Sequence, residues 1–273
     1  MSSEKKMLID PSDKLPCMEV GRWVTEEKHQ IIRRYIDCSW ATRRKFSQRT
    51  YIDLYAGPGR VKIKHLEYYA DGGPIAAWRI SNLRKGAFTD FFIADSNEDY
   101  LAGCKSRLAN FSASVNAICG SAHQTVDKIL PRLSGSGLHL ALLDPFNAGH
   151  LHFSIIEKLA RKKHMDIVVH LSTGDIQRNI AASLKRERSP LDDFAPGWRR
   201  VVKGTQSKKA MREAFLTHWS SLVAQTGLKI CATKYPVMNG RKSIMYWLIL
   251  LSRNDVANKL WTEACALRTK SLF

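Results

Sequence analysis

No stretch of eighteen apolar residues occurs in the sequence, and a helix needs about twenty to cross a bilayer. A transmembrane helix is therefore not expected; the most apolar run, Ile244–Leu251, has the length of a strand. The opening MSSEKKMLIDPSDK carries charge but no apolar segment, so no secretory signal is expected. The six cysteines, Cys17, Cys38, Cys104, Cys119, Cys231 and Cys265, form no CxxC pair and no cysteine–histidine set at zinc spacing. Without a signal segment they read as reduced cytoplasmic thiols. Cys119, inside an apolar run, is expected in the core. A phosphate-binding GxxxxGK(S/T) loop, an HExxH, an H-x-E…PCxxC pattern and a GxSxG elbow are all missing. Triphosphate hydrolysis, zinc chemistry and an elbow serine nucleophile lose their usual signatures. Acidic residues are also few: 25 Asp and Glu stand against 43 Lys and Arg, a net charge of +18.

That excess favours a polyanionic partner, nucleic acid first and an anionic membrane surface second. At 273 residues, 44% hydrophobic and 25% charged, the chain has the length and composition of a globular protein that needs no disulfide or metal staple. Residues 1–20 are polar and proline-interrupted and read as a loose arm. Thr25-Glu26-Glu27 then opens a helix, with Thr25 as its cap and the acids at the positive end of the dipole. Its apolar face is Ile31, Ile32, Tyr35 and Ile36.

Five strand-length apolar runs follow: Thr50–Tyr55, Asp90–Asp95, Val115–Cys119, Leu138–Asp144 and Asp166–Leu171. Most are nearly continuous in apolar residues, as strands covered on both faces are. Between them lie helical segments at Pro74–Leu83, Asn97–Asn110, His123–Leu130 and Phe153–Lys163. This alternation predicts an α/β fold with a parallel sheet and helices on both faces. A basic, proline- and glycine-broken insertion spans about 178–212, and a helix is expected from Ser207 to about Ala224. Leu228–Tyr235 and Ser243–Leu251 flank the turn dipeptide Asn239-Gly240 and predict a closing antiparallel hairpin. The boundaries read as an arm and helix over 1–48 and an α/β domain over 49–273.

Three motifs fall at strand ends, where open α/β sheets bind ligands. The first is Asp53-Leu54-Tyr55-Ala56-Gly57-Pro58-Gly59, whose glycines permit a tight turn and close approach to the backbone. The second is Asp95, which ends FFIAD and whose two carboxylate oxygens suit a ribose diol. It stands 36 residues beyond Gly59, more than the usual ~20, as though Val61–Gly73 were an inserted loop; it also suits a helix cap. The third is Asp144-Pro145-Phe146-Asn147. Asp144 and a neighbouring carbonyl can accept the two hydrogens of an amino group while Phe146 stacks on a base. His123, His150, His152 and His170 lie near the same ends without metal-ligand spacing. The basic residues Arg178, Lys185, Arg186, Arg188, Arg199, Arg200, Lys203, Lys208 and Lys209, with Trp198 among them, suit phosphates and a stacked base.

These residues together resemble the three-Cys-motif partner proteins, a methyltransferase-like family named for a radical-SAM neighbour. The marks are Trp23-x-x-Glu26-x-Lys28-His29-x-Ile31 with Arg34-Tyr35, YIDLYAGPGR at 51–60, Gly73-Pro74-Ile75-Ala76, LLDPF at 142–146 and YWLILLS at 246–252. The resemblance implies a Rossmann-like class I methyltransferase fold and an S-adenosylmethionine site. Asp53, Tyr55, Ala56, Gly57 and Gly59 would serve the methionine end, Asp95 the ribose, and Ser121 would stand where many such enzymes carry an adenine-reading Asp. DPF resembles the DPPY-type motif of amino-methylating nucleic-acid enzymes with one proline fewer, which makes Asp144, Pro145 and Phe146 the catalytic candidates.

The leading expectation is a cytoplasmic S-adenosylmethionine-dependent methyltransferase acting on a nucleic-acid amino nitrogen, with a radical-SAM protein as a partner. Two others stay open: a non-catalytic nucleic-acid-binding protein on the same scaffold, and a metal-dependent hydrolase using Asp53, Asp95 and Asp144.

Overall fold

The computed structural model describes residues 7–266. Two short strands open it, β1 (Leu8–Ile9) and β2 (Pro16–Val20). A π-helical turn over Val24–Lys28 runs into α1 (His29–Cys38), followed by the short α2 (Trp40–Arg43). β3 (Arg49–Asp53) carries the glycine loop, and β4 (Arg60–Ile63) and β5 (Tyr69–Asp71) form a hairpin before α3 (Gly73–Asn82). The alternation then proceeds as β6 (Asp90–Asp95), α4 (Glu98–Ala109), β7 (Val115–Cys119), α5 (Ala122–Ile129) and β8 (Leu138–Leu143). After α6 (Phe153–Leu159) and β9 (Met165–Leu171) come α7 (Thr173–Leu184), α8 (Pro190–Phe194) and α9 (Lys208–Gln225). β10 (Lys229–Met238), β11 (Ile244–Ser252) and α10 (Asp255–Ala266) close the chain.

The main sheet has seven strands in the order β10-β11-β9-β8-β3-β6-β7. β9, β8, β3, β6 and β7 are parallel, and β11 enters antiparallel between β9 and β10. The chain reverses outward from β3 on both sides, so the strand order switches between β3 and β8. The crevice at such a switch is where an open sheet binds ligands. Side chains alternate across the sheet: Ile52 and Phe92 join a core with α5, α6, α7 and α9, while Tyr51, Phe91 and Ile93 join one with α1, α3, α4 and α10. This is the Rossmann-like class I methyltransferase fold, with helices on both faces and an antiparallel closing hairpin.

Several expectations need correcting. The arm, of which residues 1–6 lie outside the described residues, is not loose. β2 pairs with β4 in parallel, building a second sheet in the order β1-β2-β4-β5. The segment 61–73 is thus a hairpin with partners, not a plain loop, and residues on both sides of the 48/49 boundary share one sheet. Arg107 of α4 locks this sheet down; it binds Asp13 at 2.7 Å and the carbonyls of Pro16 and Pro58 at 2.7 and 2.6 Å. Thr25 does not cap the first helix: Arg22 and Trp23 are already helical, and the Thr25 hydroxyl donates back to the Arg22 carbonyl. Cys119 ends β7, an edge strand, and is exposed. Trp198 is fully buried against Phe215, with its indole N–H on Asp192 at 2.8 Å.

Candidate functional site

The C-terminal ends of β3, β6, β7 and β8 lie side by side because the ladders run in register. Asp53 sits opposite Ile93 on one side and Leu142 on the other, and Asp95 sits opposite Cys119. The glycine loop, Asp95, Ser121 and Asp144-Pro145-Phe146 therefore occupy one edge of the sheet.

The loop after β3 turns on two glycines with left-handed backbone, φ +58° at Gly57 and +75° at Gly59. A side chain at Gly59 would meet Cys104 Sγ at 3.0 Å and Cys104 Cα at 3.2 Å. Its close approach is thus to α4, and Ala56, Gly57 and Gly59 are all buried. The Gly57 N–H donates to Asp95 Oδ2 at 2.9 Å, and Asp95 Oδ1 accepts the Asn97 N–H at 2.9 Å. Asp95 thereby fixes the loop to the tip of β6, while Asn97 takes the helix-capping role by accepting from Tyr100. A carboxylate offers about four lone-pair sites, so partly exposed Asp95 keeps acceptor capacity for a diol. Ser121 lies nearby at the start of α5, half-buried, with its hydroxyl on Gln124.

Asp53 does something other than expected. It is 2% exposed, accepts the Tyr55 N–H at 3.0 Å and meets the Tyr51 hydroxyl at 3.3 Å. It shapes the loop from beneath rather than facing a ligand. Burial pushes its carboxyl up to about 7, against the lowering effect of the Tyr55 N–H. Tyr55 reaches outward, and its hydroxyl donates to the His150 carbonyl at 2.7 Å.

Asp144 follows β8 and is partly buried. Its Oδ2 pairs with the Lys28 ammonium and its Oδ1 takes the ring of His170 at 2.9 Å. Burial alone would raise this carboxyl, but the Lys28 charge and the His170 hydrogen bond hold it well below the carboxylate range. An ionised carboxylate only accepts, so His170 Nδ1 carries the proton. That leaves the buried Nε2 without a partner among the described residues. The His170 ring lies 3.7 Å from that of buried Tyr246. Pro145 is buried beneath the loop, whereas Phe146 stands 94% exposed.

Lys28 is the member of this cluster that sequence reasoning left without a role. It sits 116 residues from Asp144, and no local pattern links the two. The π-helical turn that delivers it is a feature often found at functional sites. Lys28, LLDPF and Tyr246 of YWLILLS meet around Asp144, so three of the scattered sequence marks become one cluster.

The basic insertion divides into two classes. Arg178, Lys185, Arg186, Arg188, Arg200, Lys203, Lys208 and Lys209 are exposed. Arg199 is not available: it binds Asp192 at 2.7 and 2.8 Å and the carbonyls of Leu184 and Ser183. Among the described residues, no group of three or more His, Cys, Asp or Glu is arranged to hold a metal, and no helix is long and apolar enough to cross a membrane.

No family model and no curated protein matches the chain. Among solved structures, the Legionella pneumophila str. Philadelphia 1 protein LPL1258 is similar with a TM-score of 0.51 at 11% identity, over 88% of this chain and 90% of that one. The METTL16 methyltransferase domain gives 0.46 at 14% identity, over 82% and 67%. An O-methyltransferase from Bacillus cereus in complex with SAH gives 0.45 at 8% identity, over 81% and 80%. At such identities the likeness is one of fold.

Proposed function

We propose that this chain is a cytoplasmic S-adenosylmethionine-dependent methyltransferase that modifies a base amino nitrogen in nucleic acid. The observation carrying the reading is the gathering of the glycine loop, Asp95 and Asp144-Pro145-Phe146 on one edge of a class I methyltransferase sheet. The cofactor, when bound, supplies an electrophilic methyl group on a sulfonium. Asp95 holds the ribose with its remaining lone pairs, and Ser121 and Tyr55 border the same space. Asp53 acts through the loop it shapes, as a positioning residue.

Phe146 offers an exposed ring on which an unpaired base stacks, worth about 1–3 kcal/mol. Asp144, kept ionised by Lys28, accepts an amino hydrogen together with a neighbouring carbonyl. That directs the nitrogen lone pair at the methyl, and rate is gained from positioning and electrostatics. The nitrogen would gain the methyl as its bond to sulfur breaks, the electron pair staying on sulfur as a neutral thioether, and would give up one proton to solvent.

The cluster of Lys28, LLDPF and Tyr246 also supports membership of the three-Cys-motif partner proteins, with a radical-SAM protein as the partner class. A second reading, nucleic-acid binding without catalysis, draws on one observation: both Asp144 oxygens are already engaged by protein groups.

Calorimetric titration with S-adenosylmethionine tests the first step. Asp95→Ala is expected to weaken binding about 10–100-fold, the value of a charge-assisted hydrogen bond. Methyl transfer from labelled cofactor to total RNA and DNA then separates the readings. Loss of transfer in Asp144→Ala with cofactor binding intact supports catalysis at this site. A folded wild type that binds no cofactor overturns the proposal in favour of the second reading.

A further inference from the structure

A cleft of about 930 Å³ opens between α1 with its π-helical turn on one side and the β4–β5 hairpin on the other. That is near the top of the ~300–1,000 Å³ range of ligand pockets. Four arginines line it: Arg22, Arg33, Arg60 and Arg79. Three are committed to carboxylates, Arg22 to Glu26 at 2.7 Å, Arg60 to Asp10 at 2.8 Å, and Arg79 to Asp71 at 2.8 Å. Arg33 is exposed and has no carboxylate partner among the described residues. Across from it, the hairpin tip carries Tyr68 at 59% exposure and Leu66 at 44%, around His65 with a left-handed φ of 65°. An exposed cation and an exposed aromatic lining one cleft are the groups single-strand binding uses, where phosphates are neutralised and bases stack.

His29 adds an independent observation. It lines the same cleft, is 6% exposed, and its Nδ1 has no partner among the described residues. Burial, aided by the neighbouring Lys28 charge, keeps the ring neutral, its pKa pushed down to about 3. A neutral imidazole carries one donor and one acceptor nitrogen. His29 follows Lys28, whose ammonium holds Asp144, so the same helical segment contributes to the cleft and to the Asp144 cluster.

We infer that this cleft is the groove for single-stranded nucleic acid, with Arg33 on a phosphate and Tyr68 stacked on an unpaired base. The inference rests on the nucleic-acid reading above and assigns its binding surface to α1 and the hairpin rather than to 178–212.

Fluorescence anisotropy with fluorescein-labelled oligo-dT and oligo-rU twenty-mers tests it over a salt series. Tyr68→Ala is expected to weaken binding about 5–100-fold. Arg33→Glu is expected to weaken it and to flatten the salt slope by about one ion or more. Both positions are exposed, so both variants fold, which circular dichroism checks. Lys208→Glu/Lys209→Glu is expected to stay within about threefold of wild type near 0.15 M salt, where distant exposed charges are screened. Unchanged affinity in the two cleft variants, with loss in the lysine pair, overturns the cleft while sparing the nucleic-acid reading. A wild type that binds neither oligonucleotide overturns both, and crosslinking of the cleft to a protein instead would assign it to a protein partner.

Discussion

Two corners of the same sheet edge treat a carboxylate in opposite ways. At the tip of β3, Asp53 is sealed in with a tyrosine hydroxyl and a backbone N–H, and burial drives its carboxyl up to about 7. At the tip of the neighbouring β8, Asp144 is paired with Lys28 and His170, and its carboxyl is held well below the ordinary range. The two charges feel each other, so the difference is not one of distance from the edge. What decides is whether a cation is delivered from outside the sheet. The glycine-loop corner is built to hold shape; the Asp144 corner is built to hold charge.

Removing the cation breaks the contrast most severely. Lys28→Met leaves Asp144 buried without its counter-charge, which typically costs about 3–5 kcal/mol. Urea unfolding of Lys28→Met, Asp144→Asn and the double variant measures this. The single lysine variant is expected to lose most, and Asp144→Asn added to it to restore much of the loss. Additive losses would mean that the pair is not coupled.

Asp53 sharpens the contrast through pH. Between pH 3.8 and about 7, the folded protein holds a proton on Asp53 that the unfolded chain releases. Stability contributed by this group therefore falls as pH rises through that window, by about 4 kcal/mol at most. Asp144 runs the other way: its contribution is present above the unfolded value and is lost as pH falls through its lowered folded value. Asp53→Asn removes the first trend and keeps the acceptor for Tyr55. The difference in Tm between variant and wild type is expected to grow in the variant's favour from pH 4 to pH 8. Parallel curves would place the Asp53 carboxyl at an ordinary value.

His170 comes next in size. His170→Phe keeps a ring beside Tyr246 but removes the donor to Asp144, a charge-assisted bond worth about 1.5–3 kcal/mol. Relief of the unpartnered Nε2 offsets part of that, so a net loss of about 1–2 kcal/mol in urea unfolding is expected. A loss as large as that of Lys28→Met would make the histidine, not the lysine, the principal partner.

The strands were legible for a plain reason. Asp90–Asp95 coincides with its sequence run, because a strand covered on both faces reads as an apolar run bounded by turns; Val115–Cys119 also coincides with its run, though it lies half-buried at the sheet edge. The strand tips, and so the edge with Asp95 and Asp144, came with them. The rest depended on pairings remote in sequence. β1 and β2 are two and five residues long and gain meaning only beside β4. Trp198 among arginines looked like a stacking platform, yet Asp192 and the α9 aromatics draw it inward. α10 follows a complete hairpin and was not anticipated; Asn254 caps it, accepting from Val256 at 2.8 Å. Lys28 was visible as a motif residue, but only the folded chain gives it a partner.

The smallest expected change in stability belongs to the residue proposed to stack on the target base. Phe146 is 94% exposed, so removing its ring uncovers little surface, and Phe146→Ala is expected to stay within about 0.5 kcal/mol of wild type. A ring this exposed adds nothing to the core, so an effect of its removal on activity reports binding rather than folding. If a base stacks there, Phe146→Ala raises KM for the nucleic acid about 5–100-fold while cofactor affinity and Tm stand still. Phe146→Trp, with a larger face, is expected to recover most of the loss. Equal activity of all three at limiting substrate would remove stacking from the Asp144 corner and leave Asp144 to orient its target alone.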